Sequence, residues 1–317
     1  MSYKSLFVLL LAMMLAACSG SAPRDATFTI PEGATLRRAA TIMEDAGAIA
    51  DADSFVRNAR VFGGGDSIKP GEYQVEAGTS ADDVMDLIES GRTRQRFVTI
   101  PEGMPSIMVH DRLMANENLT GEIPVPAEGS ILPDSYAYQK GDSRASVVAR
   151  MQAAMDRAFA EAWEQRSARA VPTNRIQALA LASIVEKETA KPSERRRVAG
   201  VYSNRLRIGM RLQADPTIIY PITRGRPLGR AIRRSEIDAV NTYNTYSMTG
   251  LPIGPIANPG RASLLAALNP ESHDYLYFVA NGTGGHVFSR TLAEHEANHA
   301  RWREIRAERA ASEAAEE

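Results

Sequence analysis

The 317-residue chain has a single cysteine, Cys18. One thiol excludes an intrachain disulfide framework and any zinc or iron–sulfur site built from several cysteines. An excess of charge is also missing. Lys and Arg number 37 against 38 Asp and Glu, a net charge of −1, so electrostatics give no argument for a nucleic-acid partner. Nor is there a long apolar run, because Leu6–Ala17 falls short of the roughly 20 residues that cross a bilayer. What remains is an ordinary globular composition, 44% apolar and 24% charged, long enough for one large domain or two modest ones.

The apolar run follows Lys4 and ends in small residues, the pattern of a secretory signal. Leu15-Ala16-Ala17-Cys18 resembles a bacterial lipobox, in which the cysteine becomes the lipidated first residue of the mature chain. Residues 1–18 are therefore expected to be signal and anchor, and 19–26 a small, polar tether. An ordinary cleaved signal and a short anchor helix are the other two readings.

The N-terminal third repeats itself. Phe28-Thr-Ile-Pro-Glu-Gly33 returns as Phe97-Val-Thr-Ile-Pro-Glu-Gly103, with a weaker copy at Tyr73-Gln-Val-Glu-Ala-Gly78. Each copy reads as a short strand, a glycine turn and a helix. Leu36, Ala39, Ala40 and Met43 supply one helical stripe, and Val84, Leu87 and Ile88 another. The uneven spacing argues against a solenoid. The unit resembles the lysin motif, a βααβ module that binds glycans, and it equally suits a scaffold module with no ligand.

Further on, 116–141 reads as surface loops and 144–169 as a helix. Helices follow from Thr173 to Thr189 and from near Ser193. Residues 211–270 read as loops and short strands. Tyr275–Ala280 and His286–Ser289 read as a hairpin, a helix starts near Leu292, and 310–317 reads as a frayed, disordered tail. The expected fold class is α+β: a small βα module over 27–96, then a mixed helix-and-short-strand domain over 97–309.

Ser183-Ile-Val-Glu-Lys-Glu-Thr189 places two carboxylates at the end of an apolar helix. They cannot share a face, since positions two apart differ by about 200°. Glu188 stacks over Val185, Ile184 and Leu181, and Glu186 over Ser183 and Ala182. Apolar surroundings raise a carboxyl pKa, the condition for a general acid near neutral pH. Glu186 and Ser183 then become supporting groups. The same pair also fits an exposed helix end.

Downstream lie Asn204-Arg-Leu-Arg-Ile-Gly-Met-Arg-Leu-Gln213, Asp215-Pro-Thr217, Tyr243-Asn-Thr-Tyr246, Gly250-Leu-Pro252, Ile256-Ala-Asn-Pro-Gly260 and Tyr275-Leu-Tyr-Phe-Val-Ala280. Together with the Glu188 segment, and in this order, they closely resemble the endolytic murein transglycosylase family over about residues 27 to 300. Glu128-Gly129 and Leu132-Pro-Asp-Ser-Tyr136 add to the match, with Ser135 where the family has threonine.

The resemblance implies cleavage of the β-1,4 bond between N-acetylmuramic acid and N-acetylglucosamine in peptidoglycan. Glu188 is the glutamate before threonine in the family's motif, and the facial argument selects the same residue. It would protonate the leaving oxygen and then take the proton of the muramyl C6 hydroxyl, giving a 1,6-anhydro end without consuming water. One acid/base glutamate then suffices where hydrolases generally pair two carboxylates. Gln213, Asp215, Tyr243, Asn244 and Tyr246 are the expected sugar contacts, and no cofactor or metal is implied. The family also suggests peptidoglycan synthases as partners. The protein would be anchored in the cell envelope facing the periplasm, with either membrane open. Family members commonly carry one membrane helix, where this chain has its short run and lipobox.

His295-Glu296-Ala-Asn-His299 matches the H-E-x-x-H signature of zinc metallopeptidases. The alternating charges around it and the Ala-rich residues 300–317 that follow suggest a surface helix. A lipid-anchored, non-enzymatic glycan-binding scaffold is the other alternative.

Overall fold

The computed structural model describes residues 21–62, 64, 65 and 67–316; Cys18 lies outside them. The described chain is α+β and divides into two compact units. One comprises residues up to Phe97 with Ala137–Asp142, the other Val98–Tyr136 with Ser143 onwards. The sequence reading put all of 97–309 in one domain. The return of 137–142 to the first unit leaves no mark in composition.

The first unit runs β1 (Ala26–Ile30), α1 (Leu36–Ala46), α2 (Ala52–Phe62), β2 (Gly71–Val75) and α3 (Ala81–Ser90). Its first four elements thus run βααβ. β1 and β2 pair antiparallel, Ala26 opposite Val75 and Ile30 opposite Gly71. Alternation turns Ala26, Phe28 and Ile30 inward, where Phe28 stacks on Tyr73 at 5.6 Å over Met43, Val56 and Ile88. The repeated turns hold Gly33 and Gly78 at φ of 71° and 88°, a region where a side chain is strained. Thr35 and Ser80 then cap α1 and α3 by accepting the N–H three residues on. The tether expectation fails at Ala22. It is buried, its N–H donates to the Thr79 carbonyl, and its own carbonyl accepts from Gly78.

β3 (Arg96–Thr99) leads into the second unit, followed by α4 (Ser106–Met114), β4 (Ser135–Tyr138) and α5 (Arg144–Glu164). Residues 116–141 are thus more than surface loop, because they hold β4 and bury Ile131 and Leu132. α5 stops at Glu164, short of the expected 169, with the Gln165 N–H closing on Glu161.

α6 (Arg175–Glu188) is the centre of this unit. Every residue from Ala178 to Val185 is buried, as expected for a helix apolar on all sides. It packs against α7 (Arg195–Arg207) and, further along the chain, against α10 (Arg261–Leu268). Between them, α8 (Pro216–Thr223) and α9 (Arg234–Ile237) correct the expectation of strands in 211–270, where none occurs. Pro216 opens α8 at its first turn, where its missing N–H costs nothing. α10 buries Ser263, Leu264, Ala266, Ala267 and Leu268 but leaves the equally apolar Leu265 exposed, so no amphipathic period marks it.

β5 (Tyr277–Ala280) and β6 (His286–Ser289) form the hairpin, Tyr277 opposite Ser289. α11 (Leu292–Glu316) packs on it. The supposed frayed tail is the end of this helix, as Ala and Glu favour helix without an apolar stripe. Among the described residues no helix is long and apolar enough to cross a membrane.

Candidate active site

α6 delivers Glu188 to a cleft of about 640 Å³. The helix ends there because Thr189 turns extended, its N–H still bonded to the Val185 carbonyl. Glu188 keeps one side open to the cleft, while its Oε1 is shut off from solvent with no hydrogen-bond partner. Burial, and then the charge of Asp215, pushes its carboxyl from 4.5 up to about 7; the Tyr202 hydroxyl and Arg205 pull the other way. The group is therefore poised to hold and release a proton near neutral pH.

Glu186 faces elsewhere. Its carboxylate accepts the Gly260 N–H at 2.8 Å and meets Arg195 at 3.3 Å. Arg195 also bonds Glu102 at 2.9 Å. An added Cβ at Gly260 would stand 2.0 Å from the Glu102 carboxylate, so a larger residue there would have to push that side chain aside. Ser183, fully buried, donates to the Ala180 carbonyl at 2.8 Å and accepts the Ile256 N–H at 3.0 Å. Both supporting residues thus fix the 256–260 loop to α6.

Three of the five expected sugar contacts reach the cleft: Gln213, Asp215 and Tyr246. The Tyr246 hydroxyl donates to Asp215 at 2.6 Å, and Gln213 sits at a φ of 51°, unusual for a residue with a side chain. Asn244 does not reach it. It is fully buried, its amide donating to the carbonyls of Ile237 and Ala239 and its Oδ1 accepting the Tyr246 N–H. Tyr243 is also elsewhere, packed on Tyr220 at 4.8 Å. Both are corrected from sugar contacts to framework.

The sequence reading missed Tyr202 and Arg205. Tyr202, on α7, lines the cleft, and burial followed by the charge of Glu188 raises its phenol. Arg205, 7% exposed, donates to the carbonyls of Leu276 and Leu212, each at 2.6 Å, and lies over the Tyr277 ring. Desolvation lowers its pKa.

One face of the H-E-x-x-H helix also borders the cleft. His295 and His299 line the cleft opposite Glu188's wall, His295 stacked on Tyr277 at 5.1 Å. The helix is a surface helix as expected, with no buried residue among the described ones, and Tyr277 gives its His295 face an aromatic partner. Burial, helped by His299, lowers the His295 pKa. Among the described residues no group of three His, Cys, Asp or Glu side chains could hold a metal ion, so the pair lacks the third ligand that the zinc reading requires.

The YceG-like family model matches residues 28–301. The chain belongs to the YceG-like family. A relative from Bacillus subtilis named endolytic murein transglycosylase is 28% identical over 300 residues, covering 84% of this chain and 81% of that one. One of the same name from Streptococcus pneumoniae is 28% identical over 325 residues. There this chain's 85% spans only 58% of the relative. A solved structure of a YceG-like protein from Listeria monocytogenes superposes with a TM-score of 0.55 at 29% identity, covering 87% of this chain and 99% of that one.

Proposed function

We propose that this protein is an endolytic lytic transglycosylase that cuts peptidoglycan between N-acetylmuramic acid and N-acetylglucosamine. The observation that carries the reading is Glu188. It is a carboxyl raised to about 7 by burial and by Asp215, at the rim of a polar cleft lined by tyrosines. The names of the relatives support the substrate class.

In this mechanism protonated Glu188 donates to the glycosidic oxygen as the C1–O bond breaks. Positive charge then develops on the muramyl ring, and the carboxylate that remains stabilises it, as does Asp215. Glu188 next accepts the C6 hydroxyl proton while that oxygen bonds to C1. The net change is elimination to a 1,6-anhydro end, and Glu188 regains its proton. Aromatic faces such as Tyr246 and Tyr277 offer stacking surface for sugar rings. Lipidation at Cys18 would hold the enzyme at a membrane facing the wall, where it trims or terminates new strands beside synthases. The βααβ unit would bind the same glycan.

Asp215 favours a second reading, since two carboxylates in one cleft also suit hydrolysis by an activated water. Mass spectrometry of glycan strands treated with the purified protein separates the two. Anhydro-muramyl ends support the elimination, and reducing ends support hydrolysis. Activity retained in Glu188→Gln excludes both. No cleavage by the wild-type protein leaves the glycan-binding scaffold.

A further inference from the structure

Beside the catalytic cleft runs a second groove of about 470 Å³. The two share Lys187 and Pro216, so a substrate in one reaches directly into the other. Their chemistry differs. The cleft presents carboxylates, phenols and imidazoles, whereas the groove wall is largely Met104, Met108, Pro105, Ile219 and Leu228. Sugar rings carry hydroxyls around their edges and would lose hydration there without compensation. Short apolar side chains such as alanine methyls suit such a wall.

The charges at the groove are unequal. Glu102 shares Arg195 with Glu186, at 2.9 and 3.3 Å, and Arg226 pairs with Asp111 at 2.6 Å. Lys187, exposed at the junction, pairs with no carboxylate among the described residues. Its side chain lies back over Gly103, where an added Cβ would stand 3.4 Å from Cδ and 4.0 Å from Nζ. Lys187 thus offers an unpaired ammonium at the groove mouth, and the walls beyond it are apolar.

We propose that this groove receives the peptide borne by the muramyl residue next to the scissile bond, with Lys187 meeting a peptide carboxylate. The inference rests on the transglycosylase reading and adds its substrate class: peptide-bearing strands rather than naked glycan. The peptide hangs from the same sugar whose glycosidic oxygen Glu188 protonates, which fits a groove joined to the cleft. A charge-assisted contact from Lys187 to a carboxylate along the peptide is lost with the peptide, since stripped strands keep only the lactyl carboxylate on the sugar itself.

The test uses the purified full-length protein and two glycan preparations of equal length, one with its peptides and one stripped by an amidase. Peptide-bearing strands should be cut with kcat/KM about tenfold higher or more. Lys187→Met and Leu228→Trp should each bring that ratio towards one, while Lys187→Arg retains most of it. Equal rates in the wild type, or a ratio unchanged in both Met and Trp variants, overturn the inference and leave the transglycosylase intact. A wild-type preference for longer stripped strands that Leu228→Trp abolishes also overturns it, assigning the groove to flanking sugars. If neither preparation is cut, the transglycosylase reading itself fails.

Discussion

The Glu186 carboxylate holds the Gly260 N–H at 2.8 Å, two residues before Glu188 on the same helix. α6 therefore does two jobs at one end: Glu186 ties down a neighbouring loop while Glu188 faces the cleft. Removing the tie in Glu186→Ala leaves a backbone N–H and the Arg195 guanidinium short of a partner. Urea denaturation should show a loss of about 1–3 kcal/mol. Glu186→Gln keeps an acceptor for Gly260 and should lose less. An alanine variant as stable as the wild type would mean the tie contributes nothing.

The burial of Glu188 has a stability signature. Its carboxyl titrates at 4.5 in an ordinary setting and at about 7 in the fold. Below 4.5 both folded and unfolded chains hold the proton. Between the two values the unfolded chain ionises first, so stability falls as pH rises. Above 7 the loss is complete, on the order of 3 kcal/mol. Glu188→Gln stays neutral throughout, so it should melt higher than the wild type at pH 8 and equally at pH 4. An advantage that is the same at both pH values rules out this origin.

Catalysis should follow the same proton. kcat/KM is expected to decline above about pH 7 as Glu188 loses its proton. After burial, the charge of Asp215 is the main influence raising that value. Asp215→Asn should therefore move the alkaline limb to lower pH, besides slowing the reaction. A limb that stays in place would show that Asp215 does not act on Glu188 through its charge.

Asn244 and Tyr246 lie two positions apart in sequence and should separate in behaviour. Asn244→Ala empties a buried site whose amide bonds several carbonyls, so it should cost about 1–3 kcal/mol of stability. KM should stay near wild type in molecules that remain folded. Tyr246→Phe removes the donor to Asp215 and should impair kcat/KM with little effect on melting temperature. Measuring both quantities for both variants checks the assignment.

That contrast shows where sequence patterns were informative. Helices with one apolar face, such as α1 and α3, announce themselves by spacing, as do the strand–glycine–helix repeats. Glu188 was legible because a carboxylate stacked on Val185 and Leu181 must be buried or shift its neighbours. Asn244 was misleading because an amide looks the same in a sequence whether it faces sugar or backbone carbonyls. α10 was hidden because it is short and apolar over most of its length, its exposed Leu265 being as apolar as its buried neighbours. The inward turn of His295 depends on Tyr277, a residue on another element, and no local pattern records it.

Arg205 bonds two main-chain carbonyls, those of Leu212 and Leu276. Every amino acid presents that same oxygen, so the contact does not depend on which side chains stand at positions 212 and 276. Sequence can drift at both without loosening the link, provided the backbone keeps its course. Tolerance and constraint are thus divided unevenly: the burden of keeping the two segments together falls on one guanidinium, and a library of variants should find Arg205 far less replaceable than either leucine.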